Sequence, residues 1–329
     1  MTTETFKLTD NDIFSRLRGI DLQELLVQVE NFYLEYRDVL NLDEDLTFGL
    51  ELEYEKIPKR KTDKFLYHNY PFWDSKTDGS LDSGGEITSP ILTDCNKTWK
   101  ELEEICNYLK KKHADTMHSA SSHMHFGTSY IDDDYNVWRT FLKLYTSFEH
   151  ILFRFYYGDM VNGRRKLTKY ASPAAPTLYK KLDFINELDN ASYLHIIICE
   201  FDDRYYALNL KNADSFYHEK DTIEFRVPNC TVSSIILQNN VNAFGKMLMA
   251  CKNSKIDEDY INYRLRREFV YFGDCNSIYN EKDLKSVLNF VDQVFDNNLD
   301  KIYFLRQYLK DFEDNFRILS PKKAKQFTR

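Results

Sequence analysis

Three times along the chain, two polar residues stand at i and i+2 around an apolar one. They are Glu51 and Glu53 around Leu52 in FGLELEY, His123 and His125 around Met124 in SSHMHFG, and Glu224 and Arg226 around Phe225 in TIEFRV. In a β-strand, residues two apart point to the same side of the sheet, roughly 6–7 Å from each other, and the residue between them points the other way. Each segment therefore reads as a strand with an apolar face for a core and a second face of chosen charge. Such strands suit a mainly antiparallel sheet covered by helices on one side, an α+β arrangement. One pair alone constrains little: ExE is usually a solvated face, HxH also occurs in ordinary strands, and ExR is commonly an ion pair along the strand. Three pairs in one chain, all with apolar centres, constrain it far more.

Glu86 of GGEITSP adds to these pairs, so that a curved sheet could gather four carboxylates and two imidazoles in one cleft. Carboxylates packed together repel and raise one another's pKa unless cations sit among them. Oxygen-rich sites with few protein ligands suit Mg²⁺ or Mn²⁺, and Mg²⁺ held this way bridges to substrate phosphates. Arg226, at the end of the same face, is a natural partner for a phosphoryl group in transfer. Metals, carboxylates and an Arg are the parts that phosphoryl transfer requires.

The rest of the chain supplies helices. Residues 1–45 read as two of them, the second over 21–40 from a capping Asp21. A strand is expected from Leu46 to Tyr54, then a polar, turn-rich loop over 56–80 with a solvated Lys/Arg cluster at 59–64. A second strand runs from Gly85 to Ser89. An amphipathic helix over 96–113 places Trp99, Leu102, Ile105, Cys106 and Leu109 on one face. A third strand ends at Phe126, and a long aromatic helix covers 133–156. The basic loop GDMVNGRRKLTKYASP follows, longer than a simple connection needs. Tyr205–Leu210 and Thr222–Val227 read as a strand pair, Thr231 as the cap of a helix over 232–252, and residues 255–329 as mainly helical. The expected organisation is an N-terminal helical segment (1–45), a catalytic domain (46–254) and a C-terminal helical extension packed on that domain (255–329).

Composition excludes several classes. With 43% apolar and 15% aromatic residues spread along 329 positions, the chain is not expected to be disordered. A net charge of -8 argues against a nucleic-acid partner, which would need clustered cations, but not against nucleotides carried by metal ions. The six cysteines contain no CxxC pair, and Cys230 reads as a buried structural thiol. The polar N-terminus does not resemble a signal peptide, and no apolar run approaches the roughly 18–20 residues of a membrane span. A cytoplasmic protein with free thiols is the expectation. No P-loop, dinucleotide fingerprint, HExxH or GxSxG occurs, nor any persuasive Ser/His/Asp or Cys/His set.

Taken in order, FGLELEY, DGSLDSGGEITSP, SSHMHFG and LNLKN…TIEFRVPN resemble the amidoligase family, a branch of the glutamine synthetase / glutamate–cysteine ligase superfamily. The resemblance spans about residues 46–250. It implies a curved, mainly antiparallel sheet of that superfamily's type, with helices on the convex face, the site in the concave one and terminal helices flanking it. It also implies ATP-dependent amide or peptide bond formation through an acyl phosphate, with ATP and two or more Mg²⁺ (or Mn²⁺) ions. Residue by residue, Glu51, Glu53 and Glu86 are similar to metal ligands, as are His123 and Glu224. His125 is similar to the His that faces phosphate or substrate, and Arg226 to the phosphate-stabilising Arg. Asp78 falls on the family's D-G-S-L aspartate, Arg164 and Tyr170 on a segment near the substrate, and Asn209 on its L-N-L segment. Ser121 and Ser122 stand where many relatives have Cys-Gly or Ser-Gly. The implied partners are small-molecule or peptide substrates bearing a carboxylate and an amine, with room for a homo-oligomer or a protein substrate and none for nucleic acid or membrane. The rival readings are a metal-dependent hydrolase, a guanidino-type kinase on a related sheet, and a non-catalytic metal- or peptide-binding relative.

Overall fold

A computed structural model describes residues 29, 32–116, 120–156, 167–201, 203–214, 220–266 and 283–309. Its centre is a six-stranded, wholly antiparallel sheet. The strands are β1 (Phe48–Glu55), β2 (Asp74–Lys76), β3 (Gly84–Thr88), β4 (Ser122–Gly127), β5 (Leu208–Asn209) and β6 (Thr222–Phe225). Their spatial order is β2-β3-β1-β4-β6-β5, so the three strands with paired polar residues lie side by side in the middle.

Alternation sorts each strand's side chains between two faces. Phe48, Leu50, Leu52, Met124, Phe126, Ile223 and Phe225 point into the core and are essentially inaccessible. Three helices supply the surface that buries them: α2 (Asn96–Lys111), α3 (Tyr135–Tyr156) and α8 (Ser234–Lys252). Phe225 stacks on Phe244 of α8 at 3.5 Å between ring centroids and meets Phe141 of α3 edge-on, while Phe48 stacks on Trp99 of α2. Aromatic pairs in such geometries add roughly 0.5–1.5 kcal/mol each beyond the area they bury. With one face so covered, the other is left for polar groups.

Shorter helices surround this layer: α1 (Lys59–Asn69), α4 (Leu167–Tyr170), α5 (Ala175–Lys180), α6 (Leu182–Asn186), α7 (Ala191–Ile198), α9 (Glu258–Arg264), α10 (Leu284–Val294) and α11 (Asn298–Leu309). The last two pack on α3, where Phe304 stacks on Phe155 at 4.0 Å and Phe290 meets Phe148. Among the described residues, no helix is long and apolar enough to cross a membrane.

Several expectations need correction. The cluster at 59–64 is not a loop but the start of α1. Arg60, Lys61 and Lys64 face solvent while Thr62 and Leu66, one turn apart, are buried, and Phe65 stacks on Tyr108 of α2. Residues 32–40 of the helix expected over 21–40 are irregular, because tertiary partners replace helical ones. Arg37 N donates to Gln238 Oε1, whose amide returns a bond to Arg37 O, and the Asp94 carboxylate accepts from Leu40 N and Leu42 N. The helix expected over 1–20 lies outside the described residues. Ser233, not Thr231, caps α8 by accepting from Ile236 N. The strand expected over 205–210 shortens to β5, and α4 to α7 fill a stretch for which no element was expected.

Candidate active site

The polar face of the sheet is assembled by register. Glu51 pairs with His123 and Glu53 with Glu86, while His125 and Asn209 both oppose Glu224. Paired residues on neighbouring strands lie close enough to touch, so seven polar residues from five strands meet without any loop placing them. The neighbouring Arg226 follows β6, its backbone N–H held by Ala207 O. Glu53, His123 and Glu224 are only 3–4% exposed. Such burial is costly for charged groups unless each has partners.

The partners are each other. Glu51 Oε2 lies 2.9 Å from His123 Nδ1, and Glu51 Oε1 lies 3.2 Å from His125 Nε2. On the other ring nitrogen, His123 Nε2 is 3.0 Å from Ser121 Oγ, whose own backbone N–H donates to Glu53 Oε2 at 2.7 Å. His125 Nδ1 meets Thr222 Oγ1 at 3.2 Å. Glu224 accepts from Arg226 Nη1 and from Asn209 Nδ2, and Arg226 Nε also donates to Tyr170 O. Asn209 is therefore a positioning residue for Glu224.

The electrostatics divide the carboxylates. Burial raises the Glu51 carboxyl, but the His123 hydrogen bond and the charges of His123 and His125 outweigh it and hold it well below the usual range. Burial likewise opposes ionisation of Glu224, and Arg226, His125 and His123 overcome it. Glu86 goes the other way. Burial first, then the charges of Glu51, Glu53 and Asp78, push it up to about 8, with only Lys76 in opposition.

These groups fit a divalent cation. Three triads each offer ligand atoms within 4.8 Å of one another: Glu51, Glu86 and His123; Glu51, His125 and Glu224; Glu53, Asp78 and Glu86. The third triad is all-oxygen, the donor set hard cations prefer. The crowding that raises Glu86 is what a cation would relieve. In the second triad, His125 Nε2 is buried 3.2 Å from Glu51 Oε1 and makes no hydrogen bond to the described residues.

Two cavities flank the cluster. The larger, about 770 Å³, opens on Glu51 and His125, with Lys76 and Lys220 beside apolar walls from Ile91, Ala191 and Leu194. Lys220 Nζ is 3.6 Å from Glu51 Oε1. The smaller, about 250 Å³, opens on Glu53 and Arg226 and takes in Asp78 and Tyr170. Of the residues picked out in the sequence, Glu51, Glu53, Glu86, His123, His125, Glu224, Arg226, Asp78, Tyr170 and Asn209 are thus brought together around one sheet face. Arg164 lies outside the described residues. Lys76, Ser121, Lys220, Arg204 and Tyr205 also reach the site and were not anticipated. Lys76 belongs to the three-residue β2 and Lys220 to the approach to β6, segments whose spacing carries no signal. Ser121 is the exception, since it shares the His123 face two residues upstream.

A search of curated proteins finds no match. A family model described as "Putative amidoligase enzyme" matches residues 55–244. That span holds Glu86, His123, His125, Glu224 and Arg226, and begins just after Glu51 and Glu53. Because it covers more than half of the 329 residues, the chain belongs to the amidoligase family.

Proposed function

We propose that the protein is an ATP-dependent carboxylate–amine ligase that forms an amide or peptide bond through an acyl phosphate. The observation that carries this reading is the cluster of Glu51, Glu53, Glu86, His123 and Glu224 beside Arg226, lying between two separate cavities. A ligase of this kind has to bring a nucleotide and an acid together at one charged centre, and two cavities meeting at one cluster allow it.

The larger cavity suits the nucleotide, with apolar walls for a base and Lys76 and Lys220 for the phosphates. Glu51 with His125 and Glu224, and Glu53 with Asp78 and Glu86, would each hold a divalent ion, Mg²⁺ by default. Such ions would neutralise phosphate charge at the centre of transfer. Arg226, oriented by Glu224 and Tyr170 O, faces the group in transfer with two fixed contacts rather than a free swing. Phosphoryl transfer from ATP to the acid would release ADP and leave the carbonyl carbon open to attack. Attack by the amine would then break the carbon–oxygen bond, releasing phosphate and passing the surplus proton to solvent. No protein nucleophile is required, and Cys230, in the loop after β6, is buried with its thiol pushed well up by desolvation and the Glu53 charge.

The test is thermal unfolding with ATP, a non-hydrolysable ATP analogue and Mg²⁺, on wild type, Glu53→Gln and Arg226→Ala. Mg-ATP should raise the wild-type midpoint and do so less in both variants. Phosphate release on screening acid and amine pairs should require both substrates and fall about 100-fold or more in Arg226→Ala. A wild type indifferent to millimolar Mg-ATP would sink the ligase reading. Release of phosphate with no amine present would point to a hydrolase.

A further inference from the structure

Away from the sheet, the ligase reading leaves three chemically able groups unused: Cys199, His195 and Asp214. His195 lies in α7 and Cys199 follows at the end of that helix, four residues on, so the two share a helical face. Cys199 Sγ is 3.4 Å from His195 Nε2, and His195 Nδ1 is 2.7 Å from Asp214 Oδ2. Asp214 is buried, while Cys199 is the one exposed thiol among the described residues. Cys95 is half-buried, and Cys106, Cys230 and Cys251 are buried. A carboxylate only accepts, so Nδ1 carries the ring hydrogen and Nε2 of the neutral ring is the acceptor beside the thiol. A thiol, a base and a group that orients the base are the parts that nucleophilic chemistry at sulfur requires. Their place matters too. The larger cavity is walled by Ala191 and Leu194 of α7 and by Ala213, next to Asp214. The His195–Asp214 bond therefore joins two parts of that wall.

We propose that Cys199 is a site of reversible modification by a small-molecule disulfide, and that the modified form loosens the wall of the larger cavity. His195 Nε2 takes the thiol proton as Sγ attacks one sulfur of the disulfide. The Cys199–sulfur bond forms, the reagent's own S–S bond breaks, and the departing thiolate takes the proton from His195. Cys199 is thereby oxidised to a mixed disulfide, half of the reagent leaves reduced as a thiol, and excess thiol reverses the exchange. Sγ also lies 3.9 Å from His195 Nδ1, so the added group crowds the ring and draws it from Asp214. The effect on the cavity rests on the ligase reading, which seats the nucleotide there; the exchange at sulfur does not.

The experiment incubates the full chain with glutathione disulfide and follows each cysteine by peptide mass spectrometry. Wild type, His195→Gln and Cys199→Ser are compared. Cys199 of wild type should exchange about tenfold or more faster than N-acetylcysteine amide under the same conditions, a readout that needs no variant. His195→Gln should slow Cys199 by about tenfold or more, as loss of a general base does, with the rate at Cys95 unchanged. Modified wild type should show a smaller Mg-ATP thermal shift that dithiothreitol restores, and Cys199→Ser treated alike should keep its shift. A Cys199 no faster than the reference thiol, or one indifferent to His195→Gln in a chain whose Cys95 rate is unchanged, overturns the thiol site. A Mg-ATP shift that survives full modification of Cys199 overturns the effect on the cavity and leaves the ligase reading standing. No Mg-ATP shift in untreated wild type removes the ligase reading and that effect with it, while the exchange rates still decide the thiol site.

Discussion

Burial holds both Glu86 and Glu149 above the usual carboxyl range, but their neighbours act in opposite senses. Glu86 is half-buried, and after burial itself the charges of three other acids raise it, a crowding that a cation would reverse. Glu149 is fully buried in α3, and desolvation pushes it up to about 7 although its oxygens accept from Ala174 N and Ala175 N at 2.7 and 2.8 Å. Those two bonds hold the start of α5 against α3, work an N-terminal anion does well. The sign of the pH effect follows. The unfolded carboxyl titrates near 4.5 and the folded one near 7, so between these values the folded state binds the extra proton. The Glu149 contribution is complete below pH 4.5 and is lost as pH rises to 7, on the order of 3 kcal/mol. Urea unfolding at pH 5 and pH 7.5 should show that difference shrinking by about this amount in Glu149→Gln. An unchanged pH slope in the variant would show that Glu149 is not the titrating group. Ser121 and Ser122 are both tied into the site's surroundings: Ser121 Oγ bonds the His123 ring and Ser122 Oγ donates to Asn229 O.

Among the elements, β3 depends on one backbone conformation. Gly84 opens it at φ 128°, opposite Glu55 of β1, and a Cβ there would come within 1.9 Å of Tyr54 O. Neither a side-chain shift nor a rotamer change relieves a clash with backbone at a φ that L-residues avoid. Gly84→Ala should cost about 3 kcal/mol in urea unfolding. It should also weaken the proposed Mg²⁺ binding, since β3 carries Glu86 and pairs Glu53 with it. A variant with wild-type stability would mean that the β1–β3 edge is free to adjust. By contrast α1 tolerates its run of cations because Thr62, Phe65 and Leu66 make its inward contacts while Arg60, Lys61 and Lys64 face solvent.

At the scale of the molecule, the chain's described ends are stitched to each other and to the helical layer. Arg37 pairs with Asp300 of α11, which also accepts from Asn242 of α8 and from Asn297. Gln307 of α11 donates to Phe155 O and Asn240 Oδ1, and Arg154 Nε to Tyr308 O. Asp300 is 1% exposed, so its removal leaves buried donors and a buried guanidinium without their acceptor. Asp300→Ala should destabilise by about 3 kcal/mol. Because α10 and α11 share the core under the sheet, the loss should lower one cooperative transition followed by both far-UV circular dichroism and Trp fluorescence. Two separated transitions would show that the C-terminal helices unfold on their own.

The i, i+2 pairs were enough to place Glu51, Glu53, His123, His125, Glu224 and Arg226 on one sheet face, because strand geometry alone dictates which side chains share a side. The long helices over 96–111, 135–156 and 234–252 were legible for the same reason, their apolar residues recurring at the helical period. Periodicity could not show what opposes what. The register that sets Glu53 against Glu86 and Asn209 against Glu224, the irregular path of 32–40 along Asp94 and Gln238, and the arrival of Lys220 and Arg204 are decided by contacts between residues far apart in sequence. Those contacts have no local signature, since their energy exists only once both partners are in place.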